Sequence, residues 1–410
     1  MHAFKEDLLQ ADRSHMTYRS IRDPAQARLL GLVAVLFVSY LCVAIPMPVV
    51  PLYVTGRLGL GNAWAGLGVG IAFLSTIVTR GYAGHLSDRR GAKAAVGRGL
   101  AFYAGGALVS LVAGLLTQAP LTGFAVLVAG RLLLGLGESL VGVGVIAWGI
   151  GLVGSARSGT VLALVGAAIY GALAVGGPIG LVLFDRLGFV GAMAVSTLLP
   201  CLGLLAILAM TGVAPHPHAE RPSFLSVMGR IWGYGLIVCL QGIGFAAIGS
   251  FFVLYFLHRH WSHAGLGFMA FGGGFVLVRL LFGHLPDRFG GLPVAIGSLA
   301  IEALGQFLIW GAHDPILALA GACLTGLGCS MIFPAMGREV VHLVQPHLRG
   351  TAMGGFTAFQ DLAYGLTGPL AGLFADRAGY SGVFLIGGIA AAAGFLIALC
   401  LCRAETAQAR

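Results

Sequence analysis

Charge is what this chain has least of. Asp, Glu, Lys and Arg make up 10% of its 410 residues, only two lysines occur (Lys5 and Lys93), and the mean hydropathy is +0.93. An ordinary soluble domain carries roughly 25% charged residues, so this chain has too little polar surface to face water around globular domains. The bilayer is therefore its solvent. Disulfide and Cys-metal patterns are missing too, because the seven cysteines, at 42, 201, 239, 323, 329, 400 and 402, all fall inside apolar runs. The alternating ten-residue strands of a membrane barrel are absent. No Gly-rich stretch leads into Lys-Ser or Lys-Thr, and GLGVG (66–70) and FGGG (271–274) sit within apolar runs, so no phosphate loop and no ATP drive is encoded. The spans hold no nucleophile-base or metal motif, so no enzyme, cofactor or metal site is expected. Basic residues give a formal charge of +9 but are scattered between apolar runs, which points to membrane topology and away from nucleic acid.

What is present is length. Twelve apolar runs, from 29–53 to 380–402, each reach the roughly 20 residues that a helix needs to cross the hydrocarbon. With the amino terminus placed in the cytoplasm, inside segments hold seventeen Lys and Arg against four outside, so both termini are expected inside. Residues 1–28 read as a polar tail and not as a cleavable leader, and 403–410 as a second tail. The segment 213–230, with its Pro and charge, separates a bundle of six helices at 29–212 from another at 231–402.

Repeats strengthen this division. GHLSDRRG (84–91) recurs as GHLPDRFG (283–290), and Arg80 maps onto Arg279 by the same offset of 199 residues. From the fourth span onward the offset is 191: GLG (135–137) pairs with GLG (326–328), and Gly177-Pro178 with Gly368-Pro369. The four-residue unit DRxG also appears at 185–188 and 376–379, three spans after the copies at 88 and 287. Copies three spans apart lie on opposite membrane faces, the mark of inverted three-helix repeats nested in each half. The expected fold is an all-α membrane protein with twelve transmembrane helices in two such bundles.

These residues resemble the major facilitator superfamily over essentially the whole chain. The run G-x3-D-R-x-G-x-K, with Gly84, Asp88, Arg89, Gly91 and Lys93, is similar to the family's signature between its second and third helices, and Arg131-x3-Gly135-x-Gly137 to its fourth-helix motif. Gly177-Pro178 with Gly180 resembles the fifth-helix motif of the drug/proton antiporter branch, although the position of its earlier glycine is Leu173. PLYV, DRRGAK and GESL most resemble YhhS-type bacterial efflux carriers. The resemblance implies a secondary transporter of the bacterial inner membrane, a monomer that exports a small organic solute or drug in exchange for protons by alternating access. The direct competitor is a symporter or uniporter taking up a sugar or organic anion.

Ionisable residues within the spans mark the candidate site, because a charge at mid-membrane costs roughly 2.5 kcal/mol or more unless it is protonated or paired. Glu138 in the fourth span is the first candidate proton carrier, with Arg131 two turns away on nearly the same face, and Asp361 in the eleventh span is the second. Tyr170 occupies the place of Asp361 in the 191-residue register. Arg80 and Arg279 either snorkel to water or meet an anionic substrate. Tyr40, Tyr170, Gln241, Phe245, Gln360 and Tyr364, with Arg131, Glu138 and Asp361, are the expected cavity wall. Asp88, Arg89, Asp287 and Arg288, with Gly290, are expected to latch the halves at the cytoplasmic face, and the Gly-Pro pairs to pack helices. Glu302 reads as a helix contact, and His216, His218, His258, His260 and His263 as solvated interface residues.

Overall fold

The computed structural model of the protein describes residues 24–154, 157–214, 224–345 and 349–408. Among these every regular element is helical. The first span is α1 (Pro24–Ala44) with α2 (Pro46–Gly56), bent where Pro46 removes a backbone donor. Spans two to four are α3 (Asn62–Arg90), α4 (Ala92–Ala113) and α5 (Pro120–Val153). The helix α6 (Ser158–Leu208) supplies spans five and six, and after it come α7 (Phe224–His258), α8 (Leu266–Phe282), the short α9 (Leu285–Phe289), α10 (Gly291–Trp310) and α11 (Pro315–Leu343). Spans eleven and twelve are both in α12 (Arg349–Gln408).

Nine stretches among the described residues are long and apolar enough to cross a membrane. Two of them, α6 and α12, are pairs of helices divided at Gly188 and Gly379, and the 17-residue α8 completes twelve. The dividing glycines are the last residues of DRxG units. Gly91 (φ 86°, ψ 154°), Gly188 (φ 68°, ψ −172°), Gly290 (φ 88°, ψ 159°) and Gly379 (φ 76°, ψ 167°) share one backbone conformation, a region that only glycine occupies without strain. The repeat seen in the sequence is thus one turn used four times. Gly91 and Gly290 lie at one face of the bundle, Gly188 and Gly379 at the other.

The hydrophobic core shows how the halves meet. The largest cluster is continuous from Leu29 in the first span to Phe384 in the twelfth. A separate one, containing Ile231, Leu292, Met336, Phe356 and Ala398, belongs to the second half alone and lies toward the Asp287 face. The joined region lies toward the Asp185/Asp376 face and is sealed along two seams. In one, α3 crosses the first part of α12 so closely that Gly66 and Gly70 lie on the backbone of Gly368 and Gly365, leaving no room for a side chain. In the other, Gly265 rests on Pro178 and Gly177 on the ring of Phe268. The offset of 199 takes Gly66 to Gly265 and that of 191 takes Pro178 to Pro369, so the seams are pseudo-symmetric copies. Toward the Asp88/Asp287 face, a side chain added at Gly81, Gly159 or Gly354 would meet open space.

Candidate functional site

Both seams end in charge, toward the Asp88/Asp287 ends of α3 and α8. On α3, Arg80 reaches across the halves and pairs through Nη2 with Asp361 Oδ2 of α12; the side chains are 27% and 11% exposed. A guanidinium and a carboxylate so placed neutralise each other and hold the halves together above the open side. At the equivalent place in the other seam, Arg279 of α8 lies over the ring of Phe275 at 5.5 Å and comes up to the bare backbone of Gly166. Tyr170 stands where the symmetry calls for the acid. Its ring stacks on Phe275 with centroids 3.4 Å apart, and its hydroxyl is 3.5 Å from that of Tyr364. Arg279 makes no ion pair among the described residues, and its buried Nε has no hydrogen-bond partner there.

Glu138 stands on α5, partly accessible. The Tyr40 hydroxyl of α1 donates to its Oε1 at 3.0 Å, while Oε2 is buried without a partner. Arg131 does not pair with it. Its guanidinium, 2% exposed, turns to α3 and donates to the carbonyls of Gly68 (3.0 Å) and Val69 (3.4 Å). Ser75 and Thr76 of α3 return the contact by donating to Leu132 O (2.8 Å) and Gly135 O (3.2 Å). These helices approach so closely because Gly135 lies on the Ala72 carbonyl. Arg131 therefore ties two spans of one half, and Glu138 keeps no counter-charge in direct contact.

The wall between these charges is aromatic. Phe245 of α7 lies 4.4 Å from Tyr364 and 6.2 Å from Tyr170, and Phe73 sits edge-on to Tyr364 at 5.1 Å. Gln360 is half-buried next to Asp361. Gln241 departs from the expected wall: it is 2% exposed and lies beside Cys329, within a polar cluster inside the second half. Glu302 belongs to that cluster, at 0% exposure and beside the Cys329 thiol. Gln306 joins it, donating to Gly244 O (3.2 Å) and Thr325 Oγ1 (3.3 Å). Gly244 of α7 and Gly328 of α11 lie directly against Glu302, which is thus a contact between helices, and a fully enclosed one.

At the Asp88/Asp287 face, Lys93 donates to Met210 O at 2.5 Å and so caps the end of the sixth span. Asp287 lies 3.8 Å from Arg338 of its own half, an exposed contact, and Arg288 covers the ring of Phe289. Gly84 and Arg89 belong to the end of α3. The Thr351 side chain, at the start of the eleventh span on this face, lies outside the described residues, as do His216 and His218. His260 and His263 are exposed turn residues with φ of 55° and 62°.

The opposite face holds residues that sequence reasoning missed. Asn62 at the start of α3 donates to Asp376 Oδ1 at 2.7 Å and accepts from the Tyr380 hydroxyl at 3.0 Å, which clasps the first half to the second. The signal for Asp376 was available, since it opens the fourth DRxG unit. Asn62 and Tyr380 belong to no repeat.

The family described as Major Facilitator Superfamily matches residues 32–285 and again 234–410. The chain belongs to the major facilitator superfamily. Relatives carry the same family name: an uncharacterised MFS-type transporter of Salmonella typhimurium is 41% identical over 90% of this chain and 95% of its own length. One of Burkholderia pseudomallei is 40% identical over 91% and 92%. Among solved structures, the major facilitator fold of this chain is similar to a D-xylose-proton symporter (TM-score 0.75, 16% identity, 90% of this chain and 96% of that one). It is also similar to the nucleoside transporter NupG (0.74, 15%, 91% and 99%) and to a human organic anion transporter (0.69, 16%, 92% and 100%). The protein is a multi-pass membrane transporter of this superfamily.

Proposed function

We propose that the protein is a proton-coupled exporter of a small organic solute in the bacterial inner membrane, working as a monomer by alternating access with Glu138 as the proton carrier. The observation that carries this reading is the contrast between the two central acids. Asp361 is neutralised by Arg80, whereas Glu138 has one oxygen held by Tyr40 and the other unpartnered. A carboxyl at mid-membrane with no counter-ion in contact is the group that gains most from taking up a proton. Export follows the resemblance to the drug/proton antiporter branch and YhhS-type carriers. With the positive-inside orientation, the Asp88/Asp287 face is cytoplasmic and the sealed seams are periplasmic, so the conformation is open inward. The turns with Asp88, Arg89, Asp287 and Arg288 engage when that face closes.

One observation favours a second reading, proton symport of an organic anion: Arg279 faces the same site without a carboxylate. An anion beside it is most comfortable when Glu138 is protonated, so proton and solute would travel together. Everted membrane vesicles with a pH-quenched dye separate the readings. For exchange, adding the solute releases protons from energised vesicles, and Glu138→Gln abolishes the release. Release that survives in Glu138→Gln removes Glu138 as carrier, and solute movement in the same direction as protons establishes symport.

A further inference from the structure

The pseudo-symmetry of the seams sets up a comparison within one molecule. Arg80 and Arg279 are the same residue of the repeat, since the 199-residue offset carries one to the other, and Asp361 and Tyr170 are likewise equivalent through the 191-residue offset. The contact of Gly66 with Pro369 and that of Gly265 with Pro178 obey both offsets at once, so the equivalence holds in three dimensions. One seam accordingly has cation and anion, while the other has a cation facing a phenol. Arg279 stands in the last turn of α8, packed between the halves; a guanidinium held inside a bundle without a counter-charge is costly, and neither Phe275 beneath it nor the Gly166 backbone supplies one. The side chain is turned to the partner half, where it comes up to Gly166, and its Nε is buried without a partner. Arg80 is paired with Asp361 and Arg131 is held by the carbonyls of Gly68 and Val69, whereas Arg279 has neither kind of partner among the described residues. Rings pack around it: the half-buried Tyr170 is stacked on the buried Phe275, with Tyr364 and Phe245, also buried, behind.

We infer that Arg279 is the anchor for an anionic group on the transported solute, and that the substrate class is organic anions whose flat apolar body lies against Tyr170, the half-buried member of this ring cluster. The planar fork of arginine fits a carboxylate by two parallel hydrogen bonds, and the hydroxyls of Tyr170 and Tyr364 offer further donors. This inference rests on the central cavity being the transport site, and is independent of the direction of transport and of the proton carrier.

The test is binding, measured by thermal stabilisation of the detergent-purified full chain. The probes are matched sets that share a ring and differ in charge: benzoate, benzamide and benzamidine, then 1-naphthoate with its amide and amidine. The expected result is that the carboxylates bind at least about tenfold better than their amides, the loss of one charge-assisted pair. Arg279→Gln removes that preference, while Arg279→Lys keeps part of it because the charge remains without the fork. The melting temperature of each variant without ligand shows whether it is folded, and Arg279→Lys carries the test if Arg279→Gln is not. Equal binding across each set, binding of no member, or a preference for carboxylates that survives Arg279→Gln overturns the inference. Failure of the vesicle assay with this preference intact overturns the coupling reading alone.

Discussion

Arg80 and Arg279 begin from one position in an ancestral repeat and now have different neighbours, and the difference is measurable. Because Arg80 and Asp361 meet across the halves, removing either leaves an opposite charge unpaired. Arg80→Gln and Asp361→Asn are each expected to lower the stability of the purified protein by about 1–3 kcal/mol, discounted for the partial exposure of the arginine. The double variant should lose less than the sum, the pattern of two residues in contact. Additive losses in denaturation of the four proteins would show that the pair contributes nothing beyond its separate side chains. Lys93 and Arg131 behave otherwise: both spend their charge on backbone carbonyls, Lys93 at the end of the sixth span and Arg131 on α3, and so support the frame of the first half.

At the scale of elements, the DRxG turn is the unit of construction. Its glycine must hold a positive φ with an extended ψ at 91, 188, 290 and 379, and a Cβ there costs about 1–3 kcal/mol. Gly188→Ala and Gly379→Ala are expected to lower the melting temperature markedly, since each turn joins two membrane helices. Gly105→Ala and Gly142→Ala, at positions where a Cβ meets nothing, serve as controls. Equal losses at all four sites would mean that the turn conformation is not what these glycines provide. Much of this was legible in the sequence, where both offsets, the division into two bundles and the twelve spans follow from apolar runs and repeated motifs. Side-chain direction was less so. Helical spacing places Arg131 and Glu138 nearly on one face, yet a long guanidinium reaches any acceptor within its radius, and the close Gly135 contact with α3 put carbonyls nearer than the carboxylate. Gln241 and Glu302 went unrecognised as neighbours because α7 and α10 are brought together by packing that has no local signature.

For the molecule as a whole, the core is fused at the Asp185/Asp376 face and divided at the other. The alternating access proposed above requires the two seams to part together, and the Asn62, Asp376 and Tyr380 clasp holds one of them. In a background without native cysteines, a thiol placed at Met47, which lies behind the seams against Gly249, reports opening at that face. Combining Asn62→Ala with Asp376→Ala should speed its reaction with a water-soluble maleimide about fivefold, the effect of a clasp worth about 1 kcal/mol. An unchanged rate would mean that the glycine contacts alone hold the face shut.

The unequal seams also have a genetic consequence. Codons for aspartate and tyrosine differ by a single base, so the step between a carboxylate and a phenol at position 170 is one substitution long. That step leaves every glycine contact of the seam in place and, with the anion anchor inferred above, alters only the charge that a solute meets. Relatives sharing this scaffold can therefore diverge in what they carry while their folding remains untouched, and the residue at position 170 is the first place to look when sorting them.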